Sequence, residues 1–158
     1  MFIYALIASL AIGSNPGHLD YMGSGYTVYQ EDEMLGVKGI DGIKVLTDED
    51  IDLIARCVYA EAGGQSSATR EAVTCVILNR VLSKEKYPDN VHDVLYAKNQ
   101  FVIADKYNDD VMRDVKIAIN YYGTCYSILP EDVYYFRSGH YHNFAKDYKK
   151  IGDLYFSR

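Results

Sequence analysis

One glutamate in the sequence stands where acid catalysis is feasible. On a helical wheel at about 100° per residue, Ile51, Ala55 and Val58 form an apolar stripe. Glu61 lies on the shoulder of that stripe and in the last turn of the predicted helix, where the macrodipole disfavours a carboxylate. Burial and the dipole both favour the protonated form, which is the form that a general acid at a glycosidic bond requires. The alternative is a helix-end glutamate whose side chain simply turns to water.

A second polar residue, Asn79, falls among apolar residues on the inward face of the following helical segment. Asparagine is a poor residue for a helix interior, and an unpaired buried amide costs about 1–3 kcal/mol. Asn79 must therefore bond to the backbone, to water or to a ligand, and bonding within the protein is the more common outcome.

Other kinds of chemistry find little support in the sequence. His140 and His142 would point to one face of a strand, but no third ligand follows at metal spacing, so neither a metal nor a cofactor is expected. The three cysteines include no CxxC pair, and Cys57 and Cys75 fall in helical patterns, where free cysteine acts as a small hydrophobe. GxSxG, P-loop and GxGxxG motifs do not occur.

The elements that must position these residues are mainly helices. Thr47 is a good N-cap with Asp50 three residues later, which predicts a helix to about Ala62 that ends in left-handed glycines at Gly63-Gly64. A second helix, apolar around most of its circumference, is predicted from Ser66 or Ser67 to about Leu82 and should be central.

Two shorter helices and two strands complete the predicted domain. One helix is capped by Asn90 and runs through Ala97, and the other runs from Asp109 or Asp110 to about Tyr122. Residues 133–137 and 153–157 are predicted to be strands. The fold class predicted is α+β, mainly helical with a small C-terminal sheet.

The N-terminal third has a different character. Residues 1–14 form an apolar segment that suits a signal peptide in length but carries no basic residue, so a packed or disordered segment is the alternative. Residues 15–45 show no period and are predicted to be a linker or arm, which places the catalytic domain at residues 46–158. The apolar run is shorter than the roughly 18 residues that a membrane span needs.

The amino-acid composition indicates which classes of binding partner are expected. The 158 residues carry a formal net charge of -6, which disfavours binding to a nucleic acid backbone. There are 16 tyrosines, and eleven of them lie from Tyr87 onward. Such a set suits either a surface that binds a polar ligand or a tyrosine-rich core.

An ordered series of motifs resembles the SleB/CwlJ-type cell wall hydrolases, which include spore cortex-lytic enzymes. The series comprises Tyr59-Ala-Glu61-Ala-Gly-Gly-Gln65, Glu71 to Val81, Tyr87-Pro88, Asn99-Gln100-Phe101, Tyr134-Tyr-Phe136 and Ile151 to Phe156. The resemblance covers the chain from about Thr47 to its end.

The resemblance implies a lysozyme-like domain that cuts peptidoglycan glycan strands, with Glu61 as the catalytic acid, the first Glu of the family's "AEARGE" motif. It also implies that the glycan groove is lined by Gln100, Phe101, Tyr134 and Tyr135, with Asn79 as a weaker candidate. Two positions depart from the motif: its Arg is Gly63 here, and its second Glu is Gln65.

A mechanism with a single acid survives these departures, so the sequence predicts a lytic transglycosylase that cleaves MurNAc–GlcNAc bonds. The alternatives are a hydrolytic muramidase that uses a second carboxylate such as Asp105, Asp109 or Asp153, and a non-catalytic peptidoglycan-binding module. The protein is expected to be a monomer that is exported to the wall or spore cortex, or else a phage lysin made in the host cytoplasm.

Overall fold

The computed structural model describes residues 29–31, 34–39, 42–83 and 85–158, and it describes side chains from residue 44 onward, Lys84 excepted. The apolar segment predicted at residues 1–14 lies outside the described residues. No helix in the described ranges combines the length and apolar character that crossing a bilayer requires.

A small antiparallel sheet precedes the helical domain, where the sequence predicted a linker or arm. Its strands are β1 (Tyr29–Glu31), β2 (Met34–Gly39) and β3 (Gly42–Leu46), paired in the order β1-β2-β3. Pairing between neighbours and contact with later helices support strands that show no period of their own. Leu46 at the end of β3 is only 1% exposed, so the core begins there.

Four helices form the body of the domain: α1 (Asp48–Ala62), α2 (Ser67–Leu82), α3 (Val91–Leu95) and α4 (Asp109–Tyr121). Thr47 and Asp50 make the predicted capping box on α1, and Ser66 and Asn90 cap α2 and α3. Helix α4 begins at Asp109, as predicted, and its cap is Asn108, whose side chain accepts the N–H of Val111.

The turn between α1 and α2 differs from its prediction. Gly63 has φ -57°, a right-handed value, so the left-handed end predicted there is wrong. The glycines with positive φ in the described chain are Gly123, Gly139 and Gly152. A Cβ at Gly63 would lie 2.5 Å from the Tyr59 carbonyl oxygen, so the Arg that the family motif has at this position would require the turn to shift.

Helix α2 occupies the centre of the domain, as predicted. Every residue from Ala72 to Val81 is buried, and α2 packs against α1, α3 and α4. Cys57 and Cys75 are free and buried, in agreement with their predicted role as small hydrophobes.

A three-stranded antiparallel sheet closes the chain and packs on α2. Its strands are β4 (Tyr135–Ser138), β5 (Asp147–Ile151) and β6 (Leu154–Ser157), in the order β4-β6-β5. Leu154 and Phe156 of β6 point into the core. β4 and β6 were predicted, but β5 was not, because an exposed edge strand has no buried face to produce alternation. The α+β class with a small C-terminal sheet is confirmed.

Candidate active site

The last turn of α1 carries Glu61 to the surface of the core. The buried face of α1 fixes the helix, and Glu61 is half-buried at its end. Its Oε1 accepts a hydrogen bond of 2.8 Å from the backbone N–H of Val102, 41 residues later. One oxygen of the carboxyl group is thereby held by the backbone, and the side chain has a defined position instead of turning freely to water.

The segment that meets Glu61 is a loop between α3 and α4. Asn99 adopts φ +60°, a left-handed value that asparagine tolerates, and the chain turns there into Gln100 and Phe101. The N–H of Ala104 donates to the carbonyl oxygen of Arg56 at 3.3 Å, which fastens the loop to α1.

Arg80 of α2 connects this loop to the C-terminal sheet. Its side chain is buried, with Nε donating to the Tyr134 carbonyl oxygen at 2.8 Å and Nη1 donating to Gln100 Oε1 at 2.9 Å. The guanidinium carbon lies 4.7 Å from the centre of the Phe101 ring and 6.0 Å from that of Tyr135. Arg80 thus joins four residues that the family resemblance assigned to the groove.

Glu61 is one of the acidic groups near the charge of Arg80. Burial lowers the pKa of Arg80 from its ordinary value, and the nearby negative charges of groups that include Glu61 oppose that shift. An arginine remains cationic after such a shift. The site therefore pairs one acid with a buried cation in an aromatic surrounding.

Tyrosines and a lysine form one wall of the site. The rings of Tyr87 and Tyr134 lie 5.7 Å apart, and Lys86 Nζ lies 4.4 Å from the Tyr134 ring and 4.9 Å from that of Tyr135. Hydrogen bonds with Tyr87 and Lys86 hold the pKa of Tyr135 below its usual value, whereas burial raises the pKa of Tyr87. This wall offers ring faces and hydroxyl groups, which suit a sugar.

The hydrogen-bond partners of Asn79 are residues other than those of the tyrosine wall. Its Nδ2 donates to the carbonyl oxygens of Pro130 at 2.9 Å and Val133 at 2.7 Å, and its Oδ1 accepts the Tyr122 hydroxyl at 2.7 Å. With the side chain buried and these bonds made within the protein, the geometry favours a structural role for Asn79 over contact with a glycan.

Gln65, at the motif's second acid, reaches a turn of the C-terminal sheet. Its Nε2 donates to Asp153 Oδ2 at 3.1 Å, and its Oε1 accepts the Asp153 N–H at 3.4 Å. The other carboxylates considered, Asp105 and Asp109, are exposed in the loop before α4 and in its first turn. In the described part of the chain no three His, Cys, Asp or Glu side chains are grouped to hold a metal ion.

The structure shows which site residues the sequence alone did not single out. Arg80, Lys86 and Tyr87 were assigned no role, although an arginine within an apolar helix is an unusual feature that a search for buried charge would find. Their importance depends on contacts across the fold, since Arg80 and Tyr134 lie 54 residues apart in the chain.

Chemically, the arrangement can donate a proton beside a cluster of aromatic side chains. Because the Val102 N–H occupies Oε1, a protonated Glu61 would carry its proton on Oε2. A leaving oxygen within hydrogen-bond reach of that atom is the group that Glu61 can protonate.

Three comparisons with known proteins agree with this arrangement. A spore cortex-lytic enzyme of Halalkalibacterium halodurans is 39% identical over 77 residues, which make up 48% of this chain and 23% of that protein. This chain therefore spans under a quarter of the length of that relative.

Two solved structures share the fold. The catalytic domain of the Bacillus cereus SleB protein aligns with a TM-score of 0.60 and 27% identity, over 71% of this chain and 91% of that one. The catalytic domain of the germination-specific lytic transglycosylase SleB from Bacillus anthracis aligns with a TM-score of 0.60 and 25% identity, over 72% and 97%. The lysozyme-like fold predicted from the sequence is confirmed.

The profile of the Cell Wall Hydrolase family matches residues 64–157, which begin just after Glu61 and include Arg80 and the tyrosine wall. The match covers more than half of the chain. This protein belongs to the cell wall hydrolase family.

Proposed function

We propose that this domain is a lytic transglycosylase that cleaves the MurNAc–GlcNAc bond of peptidoglycan, with Glu61 as acid and then as base. The observation that carries the proposal is the hydrogen bond from Val102 to Glu61, which holds the acid against the Gln100–Phe101 loop. Gln100, Phe101, Tyr134 and Tyr135 contact the glycan in this proposal, because Arg80 holds them together beside Glu61.

The proposed reaction uses one carboxyl group twice. Glu61 Oε2–H protonates the oxygen between the two sugars, the bond from that oxygen to the muramic acid anomeric carbon breaks, and positive charge develops on that carbon. The Glu61 carboxylate then takes the proton from the muramic acid 6-hydroxyl as its oxygen bonds to the same carbon. No water is consumed, and Glu61 ends protonated as it began.

Intramolecular closure needs fewer protein groups than hydrolysis does. An inverting hydrolase requires a second carboxylate on the opposite face of the sugar to activate water. Gln65 has an amide where the family motif has its second acid, and Asp153 is hydrogen-bonded to that amide. The Bacillus anthracis relative, whose name describes a lytic transglycosylase, supports the same reaction for this chain.

Glu61→Gln tests the role of the acid. The variant keeps an oxygen that accepts the Val102 N–H but has no acidic proton, so clearing of a peptidoglycan suspension should slow by at least about 100-fold while the melting temperature holds. Glu49→Gln, an exposed position on the same helix, is the matched control and should leave the rate unchanged. Lysis by Glu61→Gln at a rate near that of the natural chain would overturn the mechanism, and absence of lysis by the natural chain would favour the binding module.

The product identifies the reaction. Mass analysis of digested peptidoglycan should show muropeptides ending in 1,6-anhydro-muramic acid, lighter by one water than hydrolytic products and resistant to borohydride reduction. Reducible muramic acid ends alone would establish the hydrolytic muramidase and direct the search to Asp105, Asp109 and Asp153.

A further inference from the structure

The C-terminal sheet has a second face that points away from the core. In the antiparallel register, Arg137 of β4, Tyr155 of β6 and Lys150 of β5 are direct neighbours and so share one face. The adjacent positions Phe136 and Phe156 pair with each other, and Phe156 is buried in the core. Side chains alternate between the faces, so the row of Arg137, Tyr155 and Lys150 faces outward. We call this row and the aromatic residues on its rim, Tyr135, Tyr141 and Phe144, the outer sheet face.

This part of the molecule reverses the charge of the chain. Residues 135–158 contain five basic and two acidic residues, a net charge of +3, whereas the preceding residues contain 11 basic and 20 acidic residues, a net charge of -9. One of the two acids, Asp153, is hydrogen-bonded to Gln65. The other, Asp147, lies opposite Ser157 at the end of the sheet, beyond the row. An anionic polymer that approaches this protein is therefore attracted to the C-terminal sheet and repelled by the rest.

Aromatic rings accompany the basic groups on the outer sheet face. Lys150 Nζ lies 5.0 Å from the centre of the Tyr155 ring, which meets the Tyr141 ring edge-on at 5.0 Å. The loop before β5 carries Phe144, which is 73% exposed although its ring packs edge-on against Tyr135 at 5.3 Å. Exposed phenylalanine beside tyrosine and lysine is a surface on which sugar rings stack while neighbouring carboxylates are neutralised.

Tyr135 makes this surface continuous with the proposed groove. Lys86 Nζ and the Arg80 guanidinium carbon lie 4.9 and 6.0 Å from the centre of its ring, and Phe144 packs edge-on against the same ring. A strand that leaves the groove past Tyr135 reaches the outer sheet face next.

We propose that the outer sheet face is a docking surface for a further stretch of peptidoglycan, whose glycan rings stack on its aromatic side chains and whose peptide carboxylates pair with Arg137 and Lys150. The proposal rests on the proposed function for the identity of the polymer. In this proposal the outer sheet face keeps the protein bound to an insoluble anionic substrate, whereas Glu61 carries out the bond-breaking step.

Binding to isolated peptidoglycan tests the charge of the surface. The assay sediments the polymer with Glu61→Gln protein, so that the substrate stays intact, and compares Lys150→Glu with Lys116→Glu, an equal charge change at an exposed position of α4. Lys150→Glu should raise the half-saturating concentration roughly fivefold or more at low salt, and the difference should shrink at about 1 M salt. An equal effect of the two variants would mean that only net charge matters, and would overturn the proposal.

A second matched pair of variants tests how the aromatic side chains contribute to binding. Phe144→Ser and Tyr126→Ser each remove an exposed ring, at 73% and 62% exposure, so neither should disturb folding, which circular dichroism checks. Phe144→Ser should weaken binding at both low and high salt, because stacking is not screened, whereas Tyr126→Ser should not. Equal binding by both variants would contradict docking at this surface.

Two further measurements distinguish this proposal from binding to phosphate-containing polymers and from an effect on the catalytic step. Peptidoglycan stripped of phosphate-containing polymers should retain the protein as well as untreated walls do, and loss of binding on stripping would assign the surface to those polymers instead. In the natural catalytic background, Lys150→Glu should cleave short soluble glycan fragments at an unchanged rate but insoluble walls more slowly. Failure of the transglycosylase mechanism would show in the products and leave the binding comparison intact.

Discussion

At the scale of single residues, Arg80 explains how a groove assembles around Glu61. A cation inside a protein is costly unless its donors find acceptors, and Arg80 finds them in the Tyr134 carbonyl oxygen and Gln100 Oε1. Because those acceptors belong to the residue just before β4 and to a loop, 54 and 20 residues along the chain, satisfying one side chain brings both segments to α2. The guanidinium also lies over Phe101, so its planar shape is used along with its charge.

The substitution Arg80→Lys distinguishes the contribution of the guanidinium shape from that of its positive charge. Lysine keeps the positive charge but lacks the fork that reaches both acceptors, so we expect the free energy of unfolding in urea to fall by about 2–4 kcal/mol, together with a loss of lytic activity. Arg56→Lys, in the partly exposed pair with Asp52, should change the stability by less than about 1 kcal/mol. Similar stability changes for both substitutions would show that Arg80 contributes only its charge.

At the scale of elements, an ion pair holds the turn that follows Glu61. Arg70 of α2 donates to the carbonyl oxygen of Gln65 in that turn, and its other nitrogens pair with Asp114 of α4 at 2.6 Å. Burial alone raises the pKa of Asp114, but hydrogen bonds from Ser67 and Arg70 outweigh it and leave the pKa of this carboxyl below its ordinary value. The end of α1, which carries Glu61, is thus fixed by a contact between α2 and α4.

The lowered pKa of Asp114 gives a pH dependence with a definite sign. A carboxyl with a lowered folded-state pKa stabilises the fold above its unfolded value of about 3.9, and this contribution disappears as pH falls through the folded-state pKa. Asp114→Asn should lower the free energy of unfolding by about 3 kcal/mol at pH 7, and less at about pH 2.

The measurement is urea unfolding across that pH range, with Asp110→Asn as control because Asp110 pairs with Arg113 at an exposed position of the same helix. The control should change stability by less than about 1 kcal/mol. A loss for Asp114→Asn that does not vary with pH would contradict a role for its ionised form.

At the scale of the whole molecule, the buried core sets where the folded domain begins. Thr47 caps α1, and Leu46, the last residue of β3, is buried in the core, whereas β2 of the same sheet contacts α4. The buried core therefore needs the chain from Leu46, and the N-terminal sheet adds contacts at its edge.

A truncated chain that begins at Val45 should consequently fold and release muropeptides. A chain that begins at Asp48 loses Leu46 and the cap at Thr47, and its free energy of unfolding should be lower by at least about 3 kcal/mol. Urea unfolding of the two chains makes the comparison. If the chain from Val45 is insoluble, the sheet of β1 to β3 is an integral part of the domain.

Local patterns in the sequence were sufficient to predict the helices and the place of Glu61 at the end of the first one. Caps such as Thr47 and Ser66 act within three residues, so their signals can be read locally, and a helical wheel placed Glu61 at the edge of a buried stripe. The motif series added Gln100, Phe101, Tyr134 and Tyr135, which the structure brings together around Arg80.

Only the tertiary structure decided the features that depend on distant partners. Strand β5 exists because β6 pairs with it, Gln65 meets Asp153 across 88 residues, and Asn79 is satisfied by backbone carbonyls more than 50 residues away. None of these has a local signature, since the free energy that stabilises each comes from a contact formed only when remote segments pack. The sequence by itself therefore determined the helical frame and the position of Glu61 on it, while packing determined the contacts around Arg80 and the outward charge of the C-terminal sheet.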